Sequence, residues 1–229
     1  AKIAHENNAL LMIDNTFTSA INIKPLKLGA DVVINSMTKY MNGHSDACGG
    51  SVTSTADIID KVYHYRIHIG TSGDPYTSFT MLKNFSTMDL RVKKQCANAY
   101  KLAKALEANP FVPHVNHPGL ESCPQHALAT KLFASNERIT GMLSFVLPEE
   151  MEKIDAFTSH LQIAYYAGSL GGLHTTLMHP VTTSHIDVPD AERRRMGITP
   201  GLMRVSVGIE DIDDLIADFT NALDVISKM

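Results

Sequence analysis

Two short apolar runs, each followed by polar residues, constrain the fold of the first part of the chain. Residues 9–13 are unbroken apolar and stop at Asp14, and residues 31–35 read DVVIN before Ser36. Unbroken runs of this length are typical of strands buried on both faces of a parallel sheet. A short helical segment is predicted between them, at Pro25–Leu28. The pattern therefore predicts two strands of one α/β layer.

Chemically useful side chains follow both predicted strands. Asp14 comes directly after the first strand, and Ser36, Thr38 and Lys39 follow the second. Ligands of open α/β sheets bind beyond the carboxyl ends of the strands. Pyridoxal 5'-phosphate (PLP) needs an amine for its aldehyde, hydroxyl groups for its phosphate and a carboxylate for its pyridine nitrogen. These residue types predict a PLP site in which Lys39 also serves as the general base.

Other interpretations of the same residues stay open at this point. Lys39 also fits a solvated lysine in a loop, and Asp14 fits a turn former or a helix cap. Ser36 and Lys39 form the SxxK spacing of β-lactamases and penicillin-binding proteins. The chain has no KTG triplet, however, and Ala47 stands where an SDN motif at Ser45 requires asparagine. The SxxK interpretation therefore lacks its supporting motifs.

Histidine pairs offer a metal-binding alternative. His64 and His68 are four positions apart, and His114 and His117 are three positions apart. Either spacing suits zinc ligands on one face of an element. Neither pair has the glutamate of an HExxH motif, and a chain with 11 histidines produces such spacings by chance. We predict no metal site.

Charge and cysteine content exclude several classes of protein. A net charge of -4 and a pI near 6.3 provide no electrostatic basis for binding nucleic acid or an anionic membrane. No apolar run approaches the roughly 18 residues that a membrane-spanning helix needs. Cys48, Cys96 and Cys123 form no CxxC pair, which favours a reducing compartment. We expect a cytoplasmic protein with neither nucleic-acid nor membrane partners.

A long predicted helix divides the chain. Residues 87–107 are rich in Lys, Ala and Leu, and a proline soon after them disfavours further helix. Beyond this helix, strands predicted at 142–147 and 202–207 alternate with helical segments in the α+β style. We therefore predict two domains, 1–90 and 91–229.

Four motifs occur in order along the chain: DNTF at 14–17, PLKLGADVVINSMTKYMNGHSD at 25–46, SLGG at 169–172 and LMRVSVGIEDIDDLIADF at 202–219. Together they closely resemble the cystathionine γ-synthase / methionine γ-lyase family of PLP enzymes, also called the Cys/Met-metabolism family. The resemblance covers essentially the whole chain. It implies the aspartate-aminotransferase-like fold, fold type I of the PLP-dependent transferases. Residues 1–90 would be the C-terminal part of the PLP-binding large domain, and 91–229 a smaller C-terminal α+β domain.

The resemblance also implies roles for individual cofactor-binding residues. Lys39 would be the lysine that forms a Schiff base with PLP, and Asp14 would be the partner of the pyridinium nitrogen. Ser36 and Thr38 would bind the phosphate. The implied catalytic residue is Lys39.

Substrate contacts are implied in the second part of the chain. Arg204 would bind the α-carboxylate with its planar guanidinium, and Ser169 would assist it. The implied reaction is γ-elimination or γ-replacement on a sulfur-containing or O-acyl homoserine-type amino acid, as in methionine γ-lyase, cystathionine γ-synthase and O-acylhomoserine sulfhydrylase. Family members act in trans-sulfuration and methionine metabolism as homotetramers whose active sites are shared between subunits.

Three departures from the family pattern qualify these expectations. The family's N-terminal portion, which supplies an aromatic ring over PLP and residues for the neighbouring subunit, is not in this sequence, so we expect the chain to be part of a longer protein. The RGLKTL-like stretch reads KNFST at 83–87, and His174 stands where many relatives have an acidic residue near the distal end of the substrate. The γ-substituent, and elimination versus replacement, stay open. The alternative is a non-catalytic or truncated relative that serves as an assembly subunit.

Overall fold

The computed structural model describes all 229 residues, which form two compact units, 1–90 and 91–229. The α-helices are α1 (Lys2–Glu6), α2 (Ser19–Asn22), α3 (Ala56–Ile69), α4 (Pro75–Phe85), α5 (Met88–Glu107), α6 (His126–Leu132), α7 (Met151–His160), α8 (Asp190–Arg195) and α9 (Ile212–Ser227). The strands are β1 (Met12–Asp14), β2 (Val32–Ser36), β3 (Gly50–Thr53), β4 (His114–Asn116), β5 (Met142–Val146), β6 (Tyr165–Tyr166), β7 (Thr176–Met178) and β8 (Leu202–Ser206). None of the helices combines the length and the apolar character needed to cross a membrane.

The first unit contains a three-stranded sheet in the order β1-β2-β3. Strands β1 and β2 are parallel, with Asp14 opposite Ile34, while β3 pairs antiparallel with β2. The predicted parallel pair is confirmed. Because parallel strands run in the same direction, the residues that follow β1 and β2 emerge at the same edge of the sheet.

The predicted burial of the first apolar run is not found among the residues of this chain. Leu10 and Met12 are 64% and 58% exposed, although the second run contributes the buried Val32 and Val33. Within these 229 residues β1 lies at an edge of the sheet, and the residues present leave Leu10 and Met12 largely uncovered. An apolar run indicates a strand, but it does not indicate the strand's place in the sheet.

The second unit contains a five-stranded sheet in the order β4-β5-β8-β7-β6. All its pairs are antiparallel except β6 with β7. Side chains of α5, α7 and α9 pack on one face of this sheet and form the core. At its centre, the rings of Phe145, Phe157 and Phe219 make edge-to-face contacts with centroids 5.7 to 6.1 Å apart. This geometry is the favoured one for aromatic pairs.

Strand β8 separates the core from the opposite face of the sheet. Met203 and Val205 are fully buried in the core. Because successive side chains of a strand point to opposite faces, Arg204 and Ser206 lie on the other face. The alternation of β8 therefore positions a guanidinium and a hydroxyl side by side, away from the core.

Helix α9 is fixed at its start and along its length by carboxylates. Asp211 caps the helix, and its side chain accepts the backbone N–H of Asp213 at 2.9 Å. Further along, the buried Asp218 accepts three successive backbone N–H groups from residues 162–164, at 2.7, 3.1 and 3.1 Å. The three bonds of Asp218 attach α9 to the segment that follows α7.

Candidate active site

A cavity of about 460 Å³ lies at the edge of the sheet where β1 and β2 end. It is lined by Asp14, Thr16, Phe17, Ser36 and Lys39. Three of the residues that the sequence predicted for a cofactor site, namely Asp14, Ser36 and Lys39, are thus brought together. They meet because the two parallel strands end side by side.

Thr16 joins the two strand ends through hydrogen bonds. Its backbone N–H donates to the Asp14 carboxylate at 2.9 Å, and its hydroxyl accepts the backbone N–H of Ser36 at 2.8 Å. Together, these two bonds fix the position of Asp14 relative to Ser36. Sequence reasoning missed Thr16, although its place two residues after an aspartate is typical of an Asx-turn.

The loop that contains Lys39 is folded into a tight turn. The Lys39 N–H donates to the Ser36 carbonyl at 3.2 Å, and the Lys39 carbonyl accepts the N–H of Gly43 at 2.7 Å. The N–H of Asn42 donates to the Met37 carbonyl at 2.8 Å. These bonds hold the backbone of Lys39, which is half-buried and lines the cavity.

Thr38 does not line this cavity with the other predicted residues. Its hydroxyl accepts the N–H of Gly49 at 3.1 Å and lies 3.4 Å from the carbonyl oxygen of the same residue. This contact ties the loop to the start of β3. The predicted phosphate role of Thr38 therefore requires its O–H to rotate away from the Gly49 carbonyl.

A buried amide cluster supports the far end of the loop. The Asn84 side chain, at the end of α4, donates to the Asn42 side chain at 2.9 Å and to the Asp46 carboxylate at 3.0 Å. Asn42 also donates to Asp46 at 2.9 Å, and this bond is the main reason that the pKa of Asp46 is lowered. The KNFST segment, which departs from the family pattern, thus contributes a structural contact to the loop of Lys39.

The two predicted substrate-binding residues, Ser169 and Arg204, are linked in the second unit through a backbone contact. Arg204 Nη2 donates to the carbonyl of Gly168 at 3.1 Å. The next residue, Ser169, is exposed, and its carbonyl accepts the Thr176 hydroxyl at 3.0 Å. Arg204 thus reaches the turn that presents Ser169.

The histidine pairs considered as zinc ligands make hydrogen bonds with protein groups. His68 Nδ1 lies 2.7 Å from the His64 carbonyl, and His114 Nε2 lies 2.8 Å from the Asn116 side chain. His117 is fully buried between the Thr140 carbonyl and a backbone N–H. No three His, Cys, Asp or Glu side chains lie close enough together to hold a metal ion.

The groups around the 460 Å³ cavity fit one kind of ligand. A carboxylate, two hydroxyls, an amine and an aromatic ring surround it, from Asp14, Thr16, Ser36, Lys39 and Phe17. An amine suits an aldehyde, hydroxyls suit an anionic group and a carboxylate suits a protonated ring nitrogen. The donor set therefore fits a cofactor that carries all three groups, as PLP does.

Comparison with known proteins agrees with this chemistry. The family model described as "Cys/Met metabolism PLP-dependent enzyme" matches residues 1–224. The chain is 39% identical over 225 residues to the cystathionine beta-lyase of Coxiella burnetii, which covers 97% of this chain and 57% of that protein. It is 37% identical over 233 residues to the L-methionine gamma-lyase of Treponema denticola, covering all of this chain and 57% of the relative.

Solved structures of related enzymes are similar to this chain as well. The cystathionine gamma synthase from Xanthomonas oryzae pv. oryzae, in complex with cystathionine, superposes with a TM-score of 0.93 at 35% identity. The match covers 99% of this chain and 58% of that one. The chain therefore has the mixed α/β fold of the matching part of these proteins, and it spans less than two thirds of their length.

Proposed function

Because the chain belongs to the family of Cys/Met metabolism PLP-dependent enzymes, we propose that the full-length protein is a PLP-dependent lyase or transferase acting on carbon–sulfur bonds. Its reaction is γ-elimination or γ-replacement on a sulfur-containing or O-acyl homoserine-type amino acid. One observation carries the proposal: Asp14, Ser36 and Lys39 line a single cavity at the ends of two parallel strands. A scaffold protein has no physical need for this donor set.

The two units have different parts in this proposal. Residues 1–90 form the C-terminal part of a PLP-binding large domain of fold type I, and 91–229 form the smaller C-terminal α+β domain. The division of the chain into compact units at residue 90, and the TM-score of 0.93 to a cystathionine gamma synthase, support this assignment.

Within the first unit, Lys39 is the catalytic residue. Its Nζ would hold the cofactor by its aldehyde group. Once free, the amine would act as the general base that removes a proton first from the α-carbon and, after passing that proton on, from the β-carbon, and the electron pair left at the β-carbon would expel the γ-substituent. PLP, when bound, supplies the electron-withdrawing ring that stabilises negative charge at the substrate's α-carbon. The Asp14 carboxylate would hold the ring nitrogen of the cofactor and favour its protonated form. The fixed geometry of Asp14, through its bond from Thr16 at 2.9 Å, supports this role.

Anion recognition is divided between the units. In the first unit, Ser36 and Thr38 would donate their hydroxyl hydrogens to the cofactor phosphate. In the second, Arg204 and Ser169 bind the α-carboxylate of the substrate, a role for which a guanidinium is suited because its donors match both carboxylate oxygens. The contact of Arg204 with Gly168, the residue before Ser169, supports their common function.

Assembly and location complete the proposal. We place the full-length protein in the cytoplasm as a homotetramer with active sites shared between subunits. Three free cysteines support a reducing compartment. Helix α4 exposes Tyr76, Phe79 and Leu82 at 79%, 65% and 73%, and an apolar surface of this kind supports burial against another part of the full-length assembly.

Cofactor binding is tested by visible absorbance of the full-length protein with added PLP, followed by borohydride reduction and peptide mapping. We expect a visible band and a reduced adduct on Lys39. Lys39→Ala should lose both the adduct and turnover, whereas Lys27→Ala, a change at an exposed lysine of the same unit, should lose neither. A full-length protein that takes up no PLP would refute the proposal and is the result expected of an assembly subunit.

The reaction is tested by product analysis with L-cystathionine, L-methionine and an O-acylhomoserine, each with and without a thiol. Cleavage at the γ-carbon of cystathionine yields cysteine and 2-oxobutanoate, whereas β-cleavage yields homocysteine and pyruvate. If cystathionine is cleaved, the first pair of products is expected. Formation of the second pair alone would refute the γ-carbon assignment while leaving the PLP assignment intact.

A further inference from the structure

The turn at residues 168–172 is held at several backbone atoms by side chains of the second unit. Gln95 Nε2 donates to the Gly172 carbonyl at 2.6 Å, and the Ser206 hydroxyl accepts the Gly171 N–H at 2.8 Å. Arg204 binds the Gly168 carbonyl. The turn therefore has an anchor at each end and one in its middle.

The sequence of the turn explains why it needs anchors. Gly171 has a φ of 76°, a left-handed conformation that glycine adopts without strain. With glycine at positions 171 and 172, no Cβ restricts the backbone, so many other conformations of the turn are accessible to it. External hydrogen bonds are what select one of them, and with it the position of Ser169.

Burying the amide of Gln95 costs more free energy than burying an apolar side chain of similar size. It lies on α5 and is fully buried, 77 positions before its partner in the sequence. Its Oε1 is buried without a hydrogen-bond partner, which disfavours an amide at this site by comparison with an apolar side chain of similar size. The bond to Gly172 is thus the one function of the amide that the structure reveals.

We propose that Gln95 is a positioning residue for recognition of the substrate's α-carboxylate. By holding the Gly172 carbonyl it restricts the two glycines, and it thereby fixes the turn in which Ser169 follows Gly168, the residue that Arg204 contacts. Gln95 acts through the turn and does not touch substrate. The inference rests on the proposed function, which supplies the substrate that Ser169 and Arg204 bind.

A matched pair of substitutions on α5 tests the role in the full-length protein. Gln95→Met removes the amide but keeps an unbranched side chain of similar length. Asn98→Leu is the control, because Asn98 is equally buried and its amide donates to the carbonyls of Gly208 and Glu210, at 3.1 and 2.9 Å, rather than to the turn. Both changes replace a buried amide by an apolar side chain one helical turn apart.

We expect Gln95→Met to raise KM for the amino-acid substrate about tenfold, with kcat changed by less than about threefold, as the loss of one ordering hydrogen bond predicts. Its melting temperature should not fall, since the orphaned Oε1 is removed as well. Asn98→Leu should lower the melting temperature and leave KM unchanged. An unchanged KM in Gln95→Met, or an equal rise in both variants, would overturn the proposal.

Hydrogen exchange separates this inference from the proposed function. Amides of the peptide covering 168–173 should exchange faster in Gln95→Met than in wild type, without any substrate, and should be unaffected by Asn98→Leu. Unchanged exchange in Gln95→Met would overturn the positioning role even in an active enzyme. A wild-type protein that neither binds PLP nor turns over amino acids would instead refute the proposed function, and the exchange rates would still decide whether Gln95 orders the turn.

Discussion

Replacing Asp218 by asparagine is expected to loosen the last helix from the second unit. The carboxylate is buried and accepts the backbone N–H groups of Gln162, Ile163 and Ala164. No asparagine orientation reproduces this pattern, because one of the two carboxylate oxygens becomes an NH₂ group. At least one of the three N–H groups then faces a donor and is left unpaired.

The size of the effect follows from these three bonds. A hydrogen bond to a charged group contributes about 1.5 to 3 kcal/mol, and a neutral acceptor is roughly half as effective. Asp218→Asn loses one bond and weakens two, while the buried charge no longer needs to be desolvated. We therefore expect a loss of about 2 to 4 kcal/mol in the free energy of unfolding, or about 5 to 15 °C in melting temperature for a chain of this size.

Urea unfolding at neutral pH, followed by circular dichroism, measures the change. Asp224→Asn is the matched control, since this aspartate lies on the exposed side of the same helix. Its effect should stay within about 0.5 kcal/mol, as for most surface substitutions. The reasoning is refuted if Asp218→Asn costs no more than the control.

Three further predictions concern stability. Burial lowers the pKa of His117 from 6.5 to about 4. As the pH falls, the unfolded chain therefore binds a proton at this histidine before the folded chain does. About 2 kcal/mol of the free energy of unfolding should be lost between pH 7 and pH 5. His117→Gln should remove this part of the pH dependence of urea unfolding, and an unchanged slope would contradict the assignment. Gly201→Ala should yield little folded protein, because a Cβ there meets the carbonyl of Leu147, and recovery of normally soluble protein would count against it. Asn84→Ala should lower the free energy of unfolding by about 1 to 3 kcal/mol through its lost bond to Asp46, as judged by thermal denaturation, where an unshifted midpoint is the contrary result.

Local patterns predicted the elements that surround the candidate site. The apolar run at 31–35 became the buried strand β2, and residues 142–147 and 202–207 became β5 and β8, within one residue of the expected ends. The helix expected at 87–107 is α5, which begins one residue later. These features depend on periodicity and on terminating residues, both of which a single sequence displays.

The position of a strand within its sheet could not be predicted in the same way. The run at 9–13 has the composition of a buried strand, yet within these 229 residues β1 lies at the edge of its sheet and Met12 is 58% exposed. Thr16 and Gln95 were missed for a related reason. Threonine and glutamine are common polar residues, and their importance here comes only from the backbone groups that they contact.

The sheet order explains why Arg204 contacts the turn that contains Ser169, although the two are far apart in sequence. Strand β8 lies between β5 and β7, and the β7–β8 register sets Thr176 opposite Ser206. The turn at 168–172 precedes β7, so it meets the end of β8, and the Ser206 hydroxyl reaches the Gly171 N–H across 35 positions of sequence. Alternation along β8 then puts Arg204 on the same face as Ser206. A motif resemblance can associate Ser169 with Arg204, but the physical cause is this antiparallel register, and a change that shifted it by one residue would turn the guanidinium into the core.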